Sequence, residues 1–476
     1  MIYMKVLLAV PPGIEKMELY KVLGLRAPPL GLAWIAAVLE QGGHSVRIID
    51  SPTIGIDLTA FINEVRTWHP DVVGITSMTP TIYKAYDAVK AVKEYDKDLP
   101  VIMGGPHATF MYQETLSNGV DVVVRGEGEF TTLELVNIIE RNGLDKDKLR
   151  NVAGIAYTSE RGAVVTKERP IVRNLDDLPP PARHLLPMDR YTLFGKPIRI
   201  IHAMASRGCP YGCSFCSTSY FWGRMIRYRS AKNVVDELED SINKYKTNII
   251  AFTDDEFTLG KRFIDAFLKE LSSRRLDISF SCGSRVDTID KEMMMQLKKH
   301  GCSALYFGVE SGSQESINRI GKKITLERAE KVFQWAKETK VSHVGSFVLG
   351  FPWESINDMK NTVKFAIKLR PTYAQFTIAT PYPGTPLYME AEQEGLIEDR
   401  NWDHYTTLNA VMRGYRFTRE EAQRMLQWAY IKYYARLGFL ISELIHGRLG
   451  PIVTAIRNAL VPWFSEELLH GTASRQ

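Results

Sequence analysis

Three cysteines within eight residues, Cys209, Cys213 and Cys216, constrain this chain more than any other feature. They follow the apolar run Ile198-Arg-Ile-Ile-His-Ala-Met204, which reads as a strand, and Pro210 and Gly212 between them place the thiols on one tight loop. Soft thiolates this close together select an iron–sulfur cluster or zinc. A closed structural zinc site takes a fourth protein ligand, and a cube cluster held by protein alone takes four cysteines. The two remaining cysteines, Cys282 and Cys302, end separate apolar runs and read as core residues. Three ligands leave one iron open, where a substrate or cofactor binds. Taken alone, the triplet is also compatible with a zinc knuckle or with three small buried hydrophobes.

The spacing, with Phe215 ahead of the last cysteine, resembles the signature of the radical S-adenosylmethionine (radical SAM) enzymes. The resemblance implies a 4Fe-4S cluster held by Cys209, Cys213 and Cys216, with SAM chelating the open iron through its amine and carboxylate. It also implies reductive cleavage of SAM to methionine and a 5′-deoxyadenosyl radical, which abstracts hydrogen from a carbon too inert for acid–base chemistry. In such an enzyme the protein supplies binding, orientation and exclusion of water.

At 476 residues the chain is long enough for two or three domains. Sixty basic against fifty-five acidic residues leave a net charge of +5 and no long basic run, which argues against a nucleic-acid partner. Five cysteines, three of them clustered, do not make a disulfide framework and suit a reducing, cytoplasmic compartment. The amino terminus runs directly into a strand-like segment without signal-peptide features, and no apolar run approaches the ~20 residues needed to span a bilayer.

Residues 1–150 alternate short apolar strands with amphipathic helices, the pattern of a doubly wound parallel α/β sheet. Ligands of such sheets sit at the carboxyl ends of the strands. Those ends carry Pro11–Gly13, Ser77-Met-Thr-Pro-Thr81, Gly104-Gly105-Pro106-His107 and Arg125-Gly-Glu-Gly-Glu129. Neither GxGxxG nor GxxxxGK[ST] is present in the expected turn, so dinucleotides and nucleoside triphosphates are disfavoured. The order of these loops, with Pro28-Pro-Leu-Gly-Leu32 and Gly43-His44, resembles the cobalamin-binding domain that precedes the radical domain in one large radical SAM class. The resemblance implies cobalamin contacts from Ser77, Thr79, Gly104, Gly105, Gly126 and Glu127. The Asp-x-His-x-x-Gly element that ligates cobalt in other cobalamin proteins is missing, and His44 and His107 read better as loop or helix-end residues.

Residues 151–194 read as a β-hairpin followed by a stiff connector around Pro179-Pro180-Pro181. Residues 195–400 resume the alternation in six strand–helix units, which resembles the partial, open (βα)6 TIM-type barrel of radical SAM enzymes. Barrel chemistry sits at the carboxyl ends of strands. The second strand there ends in Asp254-Asp255, a costly pair unless something positive binds it, and the position matches the family's SAM-ammonium motif. Arg285 suits either the SAM carboxylate or an ion pair with Asp287. Glu310 and Ser311 resemble a SAM-contacting element, and Gly350 would allow close approach to adenine.

Residues 401–476 turn helical. Thr418-Arg-Glu-Glu421 is a capping box opening a helix to about Arg436, followed by apolar segments at Leu437–Ile445 and beyond Pro451. These helices suit packing on the barrel, a cap around a greasy substrate, or peripheral contact with a membrane surface.

The whole pattern resembles the cobalamin-binding-domain radical SAM enzymes, a class that includes hopanoid methylases, anaerobic porphyrin-ring cyclases and archaeal tetraether-lipid ring synthases. The resemblance implies C-methylation or cyclisation at an unactivated carbon of a small-molecule or lipid substrate, with an electron donor such as flavodoxin or ferredoxin. The greasy tail favours a lipid or isoprenoid; a tetrapyrrole or another secondary metabolite is the alternative, and an iron–sulfur or cobalamin sensor is the non-enzymatic one. A methylthiotransferase is set aside, because no cysteine precedes Cys209.

Overall fold

The structure is a computed structural model and describes residues 4–17, 26–193, 196–439 and 441. Its first unit is a sheet built on strands β1 (Lys5–Val10), β2 (Ser45–Asp50), β3 (Val72–Thr76), β4 (Val101–Gly104) and β5 (Val122–Val124). These five run parallel in the order β2-β1-β3-β4-β5. The chain reverses its direction of winding between β1 and β3, and that switch point opens a crevice at the carboxyl edge. Period-two alternation divides the core. Val6 and Leu8 pack under helices α1 (Leu30–Gln41) and α4 (Glu129–Asn142), whereas Leu7 and Ala9 face α2 (Leu58–Trp68) and α3 (Ile82–Tyr95).

The segment expected as a hairpin is one, and it belongs to this sheet. Strands β6 (Ile155–Ser159) and β7 (Gly162–Val165) pair antiparallel with each other, and β6 pairs antiparallel with β5. A short antiparallel addition covers an edge that β5 would otherwise leave open.

The second unit contains six parallel strands in chain order: β8 (Ile201–Ala203), β9 (Ile249–Phe252), β10 (Ser279–Arg285), β11 (Cys302–Glu310), β12 (Ser342–Leu349) and β13 (Tyr373–Ile378). Helices α5 (Ala231–Tyr245), α6 (Lys261–Ser273), α7 (Lys291–Lys299), α8 (Leu326–Glu338), α9 (Ile356–Leu369) and α10 (Pro386–Gln393) alternate with them. The sheet does not close: β8 and β13 are its edges. Phe252, Phe280, Phe307, Phe347 and Phe376 face the helices and form the core of the unit, with Cys282 and Cys302 buried among them.

The open edge at β13 is sealed by α11 (Arg419–Tyr434), which the expected capping box opens: Glu421 N–H donates to Thr418 Oγ1, and Thr418 N–H donates to Glu421. One helical turn apart, Tyr430 and Tyr434 aim their hydroxyls at the unpaired backbone of β13. Tyr434 donates to the Ala374 carbonyl at 2.7 Å and accepts from its N–H at 3.1 Å, and Tyr430 serves Phe376 likewise. The hydroxyls replace the hydrogen bonds that a seventh strand would have made. The apolar segments beyond, apart from residues 437–439 and 441, lie outside the described residues. No helix among the described residues is long and apolar enough to cross a membrane.

Candidate active site between sheet and barrel

The cysteine loop leaves the end of β8 and folds over the barrel mouth. Its course is fixed by backbone: Ser214 N–H donates to the Ile320 carbonyl, and Leu387 N–H donates to the Ser214 carbonyl. Gly208 lies in the left-handed region at φ 89°, where a Cβ would collide with the Met225 carbonyl, so glycine is required there. Arg285 stacks 3.5 Å above the ring of Tyr211 within the loop.

All three cysteines are free thiols, with Cys213 buried and its two partners half-buried. Burial pushes Cys209 up to about 11 and raises Cys213, while Lys322 and Arg285 beside Cys213 act in the opposite direction. Among the described residues no three Cys, His, Asp or Glu side chains converge as a cage for a single ion. Three free thiols on one loop, each able to take a different iron, are the donor set of a cube cluster with one iron left open. Lys322 and Arg285 beside Cys213 are each ion-paired with a carboxylate, so it is the soft three-thiol donor set that fits the cluster.

The ionisable residues expected to hold SAM are mostly committed to one another. Asp254 is buried and accepts from the Ala205 N–H at 3.0 Å and from Ser206 Oγ at 2.5 Å; burial pushes its carboxyl up to about 7. It ties β8 to β9 and is not open to a ligand. Its neighbour Asp255 is the open member of the pair, exposed at the mouth and accepting from Thr218 Oγ1 at 3.0 Å. Arg285 donates to both oxygens of Asp287, each at 2.9 Å, and to the Lys322 carbonyl, which forms the ion pair that the sequence offered beside a SAM carboxylate.

Glu310 sits at a β-bulge with φ 71°, and its carboxylate meets Lys322 Nζ at 2.6 Å with both side chains buried. Burial disfavours the Lys322 ammonium, but Glu310 and Cys213 together offset it and the net direction is upward. Ser311 is buried and donates to Glu354 at 3.2 Å. Glu354 also accepts from Ser316 Oγ and from the Gly350 and Phe351 N–H groups, which locks the ends of β11 and β12 together. Gly350 has φ 83°, and a Cβ there would point at Phe417 and Ala422 of the helical region rather than at the mouth. Lys322 and Glu354 carry no signal in the sequence beyond lying after strand ends, and both were missed.

Alternate strand residues face the barrel interior. They include Ala251, Ser281, Gly283, Ala304, Tyr306, Gly308, Val344, Ser346 and Gln375. Most are small, so the interior is open enough to leave Tyr306 49% exposed in mid-strand. No free charge lies among these positions. The interior-facing His202 on β8 is pushed down to about 4 by burial and by Arg183, and is neutral at pH 7.

In the first unit a cleft of about 240 Å³ opens at the β1/β3 switch point. Leu8, Gly74 and Ile102 form its floor, Leu32 and Ile35 of α1 one wall, and Gly104, Gly105, Gly126 and Gly128 its rim. Phe221 and Trp222, just beyond the cysteine loop, close its mouth from the barrel side. At Gly105 (φ 104°) a Cβ would strike the Ser77 carbonyl, whereas at Gly126 it would meet open space. An apolar slot with a glycine rim, at a switch point and beside the radical unit, fits the flat nucleotide tail of cobalamin.

The polar residues expected to touch that cofactor do other work. Ser77 donates to the Gly104 carbonyl, Thr79 Oγ1 meets His107 Nδ1 at 3.2 Å, and both are buried. Glu127 is the centre of an inter-unit clasp, accepting from Arg227 at 2.8 Å, from Arg207 at 3.3 Å and from the Val172 N–H at 2.7 Å. Arg207 also donates to Glu129 at 2.6 Å and lies between the rings of Trp34 and Trp222. His44 lies at the opposite edge of the sheet, ahead of β2 and bonded to Asn137; His107 is buried against Trp402.

Comparison with known proteins agrees with this geometry. Residues 19–136 match the B12 binding domain, and residues 204–366 match the radical SAM superfamily. The chain is 39% identical over 461 residues to an uncharacterized methyltransferase of Pyrococcus horikoshii, covering 96% of this chain and 98% of that one. It is 29% identical over 454 residues to the anaerobic magnesium-protoporphyrin IX monomethyl ester cyclase of Rubrivivax gelatinosus, covering 89% and 81%. Its fold is similar to that of the radical S-adenosylmethionine methyltransferase TsrM from Kitasatospora setae, with a TM-score of 0.67 at 20% identity over 83% of this chain and 75% of that one. With an open three-thiol loop over a partial barrel and a glycine-rimmed slot facing it, the chain belongs to the cobalamin-binding-domain class of radical SAM enzymes, whose cofactors are a 4Fe-4S cluster, SAM and cobalamin.

Proposed function

We propose that this enzyme methylates, or closes a ring on, an unactivated carbon in an uncharged, lipid-like part of its substrate, held in the barrel interior. The observation that carries this reading is the interior itself: small residues, the hydroxyls of Ser281 and Ser346, the Tyr306 phenol and the Gln375 amide, with no free charge among them. Charged groups lose several kcal/mol on entering such a space unpaired, on the order of the cost of burying an ion. Hydrocarbon with an occasional hydroxyl does not.

The chain's own residues would divide the work as follows. Cys209, Cys213 and Cys216 would hold the cluster, and the Lys322–Glu310 and Arg285–Asp287 pairs would fix the barrel rim around it. Asp255 receives the SAM ammonium at the mouth. The glycine rim from Gly104 to Gly128 admits the cobalamin tail, and the Glu127 clasp fixes the two units at one separation. When bound, these cofactors supply the reductive cleavage of SAM and a methyl carrier. An electron donor such as flavodoxin or ferredoxin would serve the cluster.

The test is anaerobic. The reconstituted enzyme is incubated with SAM, a reductant, cobalamin and a total lipid extract, and mass spectrometry follows 5′-deoxyadenosine and lipid masses. A gain of one methylene assigns methylation, and a loss of two hydrogens assigns cyclisation or desaturation. Deoxyadenosine with unchanged lipids overturns the substrate reading, and turnover of a carboxylated tetrapyrrole would replace it. No deoxyadenosine from protein with verified cluster and SAM binding would leave a sensor.

A further inference from the structure

The loop after β3 is built in an unusual way. Ser77, Thr79 and Thr81 are 1%, 6% and 4% exposed, yet Met78 among them is 56% exposed. The backbone of Met78 is clamped: its N–H donates to Thr81 Oγ1 at 3.0 Å, and its carbonyl accepts from the same hydroxyl at 3.1 Å. Ser77 is held to β4 through the Gly104 carbonyl, and glycine at 105 lets the two loops touch. A rigid pedestal therefore presents one long, soft, apolar side chain and hides every hydroxyl it has.

Its location is specific. Thr76, two residues earlier, lines the cleft at the switch point, and the mouth of that cleft faces Phe221 and Trp222 of the radical unit. A planar macrocycle whose tail enters the cleft must lie across the carboxyl edge of the sheet, over the loop that follows β3. The described histidines of this unit do not reach that edge to face it. His44 and His69 precede β2 and β3 at the other edge, and His107 is buried. A thioether is a weak, soft donor and a flexible apolar filler.

We propose that Met78 is the side chain set against cobalt on the face of the corrin turned toward the N-terminal sheet, an inference that rests on cobalamin binding in the cleft. Cobalt there has sulfur or nothing below it, and no nitrogen.

Electron paramagnetic resonance of the full chain loaded with cob(II)alamin tests this without turnover. An axial nitrogen splits the cobalt lines into triplets, and a thioether does not. The wild type is expected to show no triplet, and Met78→His is expected to gain one at unchanged cobalamin stoichiometry. A triplet in the wild type, or a Met78→His holoprotein without one, overturns the proposal. Should Met78→His take up no cobalamin, Met78→Cys decides: alkylation at that position slowed several-fold by cobalamin supports the placement, and equal rates overturn it. A wild type that binds no cobalamin at all, with its radical cluster intact, overturns the cofactor reading along with it.

Discussion

The two units place their sites at the same address, the carboxyl ends of parallel strands, and furnish them by opposite means. The rim of the sheet is backbone: glycines at 104, 105, 126 and 128 around an apolar cleft. The rim of the barrel is crowded with ionisable side chains, and nearly all of these are occupied by one another. Glu310 takes Lys322, Arg285 takes Asp287, Asp254 takes backbone and Ser206, and Glu354 takes two N–H groups and two serines. A sheet can receive a large flat ligand by removing side chains. The ends of the barrel strands instead carry buried ion pairs and carboxylates that tie neighbouring segments together. Charges at a strand end are therefore weaker pointers to ligand contact than missing side chains are.

The largest effect that tests this contrast is at the thiol loop over the barrel mouth. Cys213→Ala should lose iron and reduce deoxyadenosine formation to background, measured by iron content and chromatography of the reaction. By contrast, Lys322→Met should act on the fold. Stranding the buried Glu310 carboxylate costs about 3–5 kcal/mol, read by denaturant unfolding, and a second change of Glu310→Leu should recover much of it. If Lys322→Met were as stable as wild type, the scaffold reading of the barrel rim would fail.

Glu354 gives the contrast a pH dependence. Burial pushes its carboxyl up from the usual 4.5 to about 7. A carboxyl raised on folding favours the protonated folded state, so its contribution is present below the unfolded value and is lost as pH rises through the folded one. The stability of wild type minus that of Glu354→Gln should fall by about 3 kcal/mol between about pH 4 and about pH 8. A pH-independent difference would show that Glu354 is not a buried carboxyl of this kind. The smallest effect separates the two adjacent aspartates. Asp255→Asn should weaken SAM binding by about 1.5–3 kcal/mol, the worth of a hydrogen bond to a charged group, in calorimetry of the cluster-loaded enzyme. Asp254→Asn should leave that affinity nearly unchanged while altering stability; the reverse pattern would restore Asp254 as the ligand.

Much of this molecule was legible in the chain. The strand–helix alternation in both units came from apolar runs and their breakers, and six strand–helix pairs are what the barrel shows. The thiol triplet and the capping box at Thr418 are local, and local motifs survive folding unchanged. The roles of side chains at strand ends were not legible. Nothing within a few residues of Glu310 announces Lys322, twelve positions on across a helix, and nothing near Glu127 announces Arg227, a hundred positions away. Likewise the Ser77 and Thr79 hydroxyls look available until the next loop arrives to take them.

By itself, then, the sequence determined the two sheets through their periodicity, and motifs close in the chain carried the resemblance to the enzyme class. Tertiary structure alone decided which charges are spent on scaffolding, which glycines rim a cleft, and that the barrel interior carries no free charge. Those properties depend on what each side chain meets across the fold, and pairwise contact between distant residues leaves no periodic trace.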